Sequence, residues 1–74
     1  MSLPKKARIN AGFSLESAAK KLNISGGYLS QIENGQRQVS AERAQEIAKL
    51  YSKKTEDIFL PSRYSIREVG ERTA

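Results

Sequence analysis

Glycine, asparagine and proline cut this sequence into segments of eight to a dozen residues, and each segment opens with a helix-starting residue. That punctuation leaves room for short helices and little else. Pro4 suits the first turn of a helix, where its missing N–H costs little. The helix runs to about Ala11, with Gly12 as a left-handed stop. Ser14 is an N-cap for a second helix, although Ser17 in place of Glu or Gln leaves the capping box incomplete. Leu15, Ala18, Ala19 and Leu22 fall at i, i+3, i+4 and i+7, one apolar stripe facing a core. Asn23 closes this helix in a left-handed conformation, and Ser25 caps a third that stops at Asn34-Gly35. Ser40 caps a fourth, from about Ala41 to Ser52, in which Ala44, Ile47, Ala48 and Tyr51 repeat the apolar spacing. Thr55 with Glu56-Asp57 begins a last short helix carrying Ile58 and Phe59, because carboxylates suit the positive end of a helix dipole. Pro61 ends it. From Ser62 onward there is no strong period, only a weak strand signal at Tyr64 and Ile66.

Five short helices with connections of a few residues imply an all-α domain. A chain of 74 residues supports one small core. It has no cysteine and no evident metal-ligand cluster, so helix packing, with dimerisation as a further source, must supply the stability. Neither a bilayer-spanning run nor a signal-peptide pattern is visible, which fits a reducing cytoplasm. The absence of both His and Cys removes the commonest general base and the thiol nucleophile. Glu42-Glu46 and Glu56-Asp57 read as helix-surface and helix-start carboxylates, and Gly26-Gly27 lacks the spacing and Lys of a phosphate-binding loop. The chain is therefore expected not to be an enzyme and to need no cofactor.

Its net charge of +5 favours an anionic partner, which by itself is a class and not an identity. The third helix says more. Leu29 and Ile32 mark its core side, and Gly27, Ser30, Gln31 and Asn34 lie roughly opposite, with Tyr28 and Glu33 on the flanks. Two short helices joined by a tight turn, the second with a neutral polar face, form a helix-turn-helix arrangement. Such a face can enter a major groove, where Gln31 can offer a bidentate amide to an adenine edge.

The run from Gly12 to Arg37 resembles the phage repressor/Cro (XRE-type) helix-turn-helix family, above all in Tyr28-Leu29-Ser30-Gln31-Ile32-Glu33-Asn34-Gly35. The likeness extends over about residues 4 to 60. It implies a five-helix, lambda-repressor-like DNA-binding domain over residues 1–60, with a short C-terminal tail over 61–74. It also implies a cytoplasmic transcriptional regulator, a repressor that binds a palindromic operator in double-stranded DNA as a homodimer. In the family, Ser14 and Ser25 correspond to phosphate-touching helix starts, Gln31 to a base-reading position with Tyr28 and Ser30 beside it, and Asn34, Gln36 and Arg37 to the loop that grips the backbone. Arg8 and Glu33 match an internal salt bridge between the first and third helices.

The chain departs from the family pattern in three places. Leu15 stands where Gln is frequent, and Val39 where Pro is usual. Gly26 and Gly27 occupy the two leading base-reading positions and have no side chain to offer a base, at up to about 1 kcal/mol each in helix propensity. Either they let the backbone approach a phosphate closely, with specificity from Gln31, Tyr28 and DNA shape, or base readout is weak. Lys5, Lys6, Lys20, Lys21 and Arg37 supply general attraction to phosphates, whereas Lys53-Lys54 read as dipole-matched surface charge. An alternative role is a protein-interaction module on the same fold, antitoxin-like or accessory, whose tail captures a partner through Tyr64, Ile66 and Val69. Tyr51, Ile58, Phe59 and Leu60 are further interface candidates with an equal claim on the core.

Overall fold

A computed structural model describes residues 2–60 and the backbone of residues 65–66. Within them the chain forms α1 (Leu3–Asn10), α2 (Leu15–Leu22), α3 (Gly26–Glu33), α4 (Ala41–Leu50) and α5 (Thr55–Ile58). A minimal antiparallel ladder of β1 (Phe59–Leu60) and β2 (Ser65–Ile66) follows. The domain is all-α apart from that ladder, as the punctuation predicts.

Serine hydroxyls start α1 to α4 by accepting otherwise orphaned N–H groups. Ser14 accepts from Ser17 at 3.0 Å, Ser25 from Tyr28 at 3.0 Å and Ser40 from Arg43 at 3.1 Å. Ser2 does the same for α1, accepting from Lys5 at 3.3 Å, so that helix begins one residue before Pro4. Left-handed residues provide the stops: Gly12 at φ 85°, Asn23 at 60° and Gly35 at 75°.

Two helix ends fall earlier than the sequence reading places them. Helix α4 stops at Leu50 because Ser52 turns left-handed at φ 59°. Lys53 N–H then bonds the Ala48 carbonyl at 2.8 Å and Ser52 N–H that of Lys49 at 3.0 Å, a Schellman motif built without glycine. Phe59 belongs to β1, not to the last helix: its backbone is extended at φ −127° and ψ 147°. Leu60 precedes a proline, which disfavours the helical region there, and leaving the helix one residue sooner lets Phe59 face Ile66 in the ladder.

The core gathers Ala18, Ala19 and Leu22 of α2, Leu29 and Ile32 of α3, Ala44, Ile47 and Ala48 of α4, then Tyr51, Ile58 and Phe59. Tyr51, Ile58 and Phe59 are therefore interior to the domain, and of the four interface candidates only Leu60 is partly exposed. Val39 is also buried, so the loop before α4 contributes a core side chain where the family pattern has proline. Arg43 binds α4 to the end of α2, its Nη1 donating to the Leu22 carbonyl at 3.1 Å. Tyr64 and Val69 lie outside the described residues.

Candidate nucleic-acid interface

The turn from Asn23 to Ser25 sets α3 against α2, and these two helices pack on each other through their apolar sides. With Leu29 and Ile32 only 1% exposed, the opposite side of α3 must face out. Gly27, Gln31 and Asn34 are exposed, and Gly26, Tyr28 and Ser30 are half-buried. The outer face is thus small and uncharged along the helix itself.

Glu33 is the residue that could spoil that face, and it points away from it. Although it ends α3, its carboxylate is buried against Arg8 of α1, 25 residues away in sequence. Arg8 Nε donates to Oε2 at 2.7 Å and Nη2 to Oε1 at 3.2 Å, the paired geometry that a guanidinium fork favours. Nη1 donates to the Phe13 carbonyl at 3.0 Å, so one side chain fixes α1, the start of the α2 segment and the end of α3. Tyr51 borders this pair, its ring 6.1 Å from that of Phe13. Its hydroxyl is buried without a hydrogen-bond partner among the described residues. Burial, reinforced by the Glu33 charge and opposed by Arg8, pushes that hydroxyl up to about 12.

Glycine at 26 and 27 is not imposed by the protein. A β-carbon at Gly27 would meet nothing within 4 Å, and one at Gly26 would meet only Glu16 Cγ at 3.9 Å. Beside them lies an open depression of about 850 Å³ between α2 and the first turn of α3, lined by Leu15, Glu16, Ala19, Lys20, Gly26 and Ser30 among others. Lys20 therefore stands beside the first turn of α3, whereas Lys6 shares a separate hollow between α1 and α5 with Lys53.

The loop residues are less alike than their shared position suggests. Gln36 is exposed and directed to solvent, and Asn34 donates from Nδ2 to the Ser30 hydroxyl at 3.4 Å. Arg37 folds back over α3: its Nε donates to Gln31 Oε1 at 2.7 Å and its Cζ lies 5.4 Å from the centre of the Tyr28 ring. Sequence reading missed this contact, since neither helical periodicity nor motif spacing reports where an exposed loop side chain returns. Ser14 is committed to capping α2, with its hydroxyl also donating to Ser17 Oγ at 2.9 Å. Among the described residues no helix is long and apolar enough to cross a membrane.

Comparison with known proteins places this geometry. Residues 5–58 match the family described as Helix-turn-helix. The chain is also 32% identical over 65 residues to Virulence-associated protein A' of Dichelobacter nodosus, a match that covers 85% of this chain. It spans 56% of the length of that relative. No solved structure gives a significant match. With the matched segment containing most of α1, all of α2 to α5 and the outward face of α3, the chain belongs to the XRE-type helix-turn-helix family of DNA-binding regulators.

Proposed function

We propose that this chain is a sequence-specific regulator of transcription, a repressor that binds a palindromic operator as a homodimer. The observation that carries the reading is the outer face of α3, cleared of its own carboxylate by the Arg8–Glu33 pair and bordered by Arg37 on one side and by Lys20 with Glu16 on the other. A helix with such a face fits a major groove, where a buried rather than projecting Glu33 avoids repulsion by phosphate. One α3 spans only a few base pairs, so useful selectivity calls for two copies with half-sites about one helical turn, roughly 34 Å, apart. Ser14 and Ser25 would meet phosphates at the starts of α2 and α3, Gly26 and Gly27 would let the backbone approach closely, and Asn34 and Gln36 would hold the flanking strand. Such a role would place the protein in the cytoplasm, with no catalytic step.

Enrichment of bound fragments from a random duplex pool, followed by titration of the best duplex and a scrambled control, tests the reading. A symmetric motif and at least about a thousandfold preference are expected, at the lower end of specific over non-specific binding. Equal affinity for both duplexes would refute it.

The ladder supplies one observation for a second role. Residues 65–66, inside the tail, pair with β1, so the tail is able to join backbone to backbone. On that reading the tail binds a second polypeptide by strand addition. Deleting residues 62–74 would then abolish dimerisation or partner capture; unchanged mass and unchanged DNA affinity would remove the tail from both roles.

A further inference from the structure

We propose that Tyr28, Gln31 and Arg37 act as one base-reading unit that selects guanine. The proposal rests on the DNA-binding reading above and names what α3 recognises. Tyr28 and Gln31 are one helical turn apart on the same side of α3, and the left-handed Gly35 reverses the chain so that Arg37 reaches back across both. The Tyr28 ring lies beside the guanidinium, 5.4 Å from Cζ, and Gln31 Oε1 holds Nε at 2.7 Å. An otherwise loose loop arginine is thereby oriented, with Nη1 and Nη2 having no partner among the described residues.

The hydrogen-bond inventory then decides the base. Adenine presents an acceptor and a donor in the major groove, so an amide reads it by giving one hydrogen bond and accepting another. Here the accepting oxygen of Gln31 carries the Arg37 cation. The second lone pair of that oxygen stays open, but three donor groups outnumber it: Gln31 Nε2 and the two Arg37 Nη groups. Guanine presents N7 and O6, two acceptors and no donor, and matches that set. The adenine N6 amino group would meet guanidinium donors at the place where guanine offers O6. Gly26 and Gly27 add no side-chain acceptor of their own, and a β-carbon at Gly27 would meet nothing within 4 Å. Arg37 is the residue that touches the base; Tyr28 and Gln31 position it.

The test uses the full chain. Duplexes are enriched from a random pool with the wild type, Arg37→Ala, Gln31→Ala, Tyr28→Ala and Tyr28→Phe. Affinities are then measured for the best duplex, for the same duplex with one guanine changed to adenine, and for one carrying 7-deazaguanine, which lacks N7. The wild type is expected to enrich a guanine in each half-site and to lose about 5- to 150-fold on its replacement by adenine. Arg37→Ala should erase that difference. Tyr28→Phe should keep it and Tyr28→Ala shrink it, while the Arg37→Ala and Gln31→Ala losses should overlap rather than add. If Arg37→Ala weakens every duplex equally and flattens the salt dependence with the preferred bases unchanged, Arg37 is a phosphate contact and the proposal fails while sequence-specific binding stands. An enriched adenine that depends on Gln31 but not on Arg37 also overturns it. Equal wild-type binding to all duplexes would instead sink the operator reading itself. Melting curves of each variant establish that it is folded.

Discussion

Consider replacing Glu33 by Leu. The carboxylate is 4% exposed and receives two hydrogen bonds from Arg8, at 2.7 and 3.2 Å. Its removal leaves Arg8, itself 7% exposed, with the Phe13 carbonyl as its one remaining hydrogen-bond partner among the described residues. A buried charge deprived of its counter-charge costs about 3–5 kcal/mol. A domain of this length has a total stability of about 4–11 kcal/mol at ordinary values per residue, so Glu33→Leu should remove about a quarter or more of it and lower Tm by at least about 12 °C. Arg8→Met should cost a similar amount by stranding Glu33. The double variant Arg8→Met/Glu33→Leu buries no charge at all, and should return to within about 1–2 kcal/mol of the wild type. The assay is urea unfolding followed by far-ultraviolet circular dichroism, with the m-value checked for constancy so that the midpoints report stability. The reasoning is refuted if Glu33→Leu unfolds within about 1 kcal/mol of the wild type, or if the double variant is as unstable as the singles combined.

Tyr51→Phe should stabilise the domain by about 1 kcal/mol, because it deletes a buried hydroxyl that lacks a hydrogen bond. The hydroxyl's raised value of about 12 also fixes a sign: its contribution is fully present below the unfolded value near 10 and is lost as pH rises through about 12. Urea midpoints of the wild type should thus fall more steeply than those of Tyr51→Phe over this window, and parallel curves would contradict the assignment. Gly26→Ala and Gly27→Ala should each add about 0.4–1 kcal/mol, since both sites accept a β-carbon, while the pair weakens DNA binding. Higher Tm with undiminished affinity in a gel shift would dismiss close backbone approach. Ser25→Ala should cost about 1 kcal/mol in thermal melting through loss of the bond to Tyr28 N–H, and Ser25→Asp should restore it.

What could be read from the residues was local chemistry. Ser14, Ser25 and Ser40 announce helix starts, and Gly12, Asn23 and Gly35 announce stops, because each choice is decided within four or five residues. The inward side of α3 followed from the spacing of Leu29 and Ile32. Ser52 escaped because a left-handed serine has no compositional mark, and Phe59 because apolar residues suit a short helix and a buried strand equally. The Arg8–Glu33 contact came from family resemblance alone; nothing in 25 residues of separation predicts it. The Arg37–Gln31 contact, between two exposed side chains, had neither a local signal nor a burial pattern behind it.

Arg43 has a consequence for how a duplex would be met. By holding the Leu22 carbonyl from behind, it braces the corner between α2 and α3 at the point where left-handed Asn23 changes the chain's direction. The angle between the two helices is consequently set before any encounter. A groove too wide or too narrow for that angle must itself bend, so the stiffness of base steps that no side chain reaches becomes part of the selection.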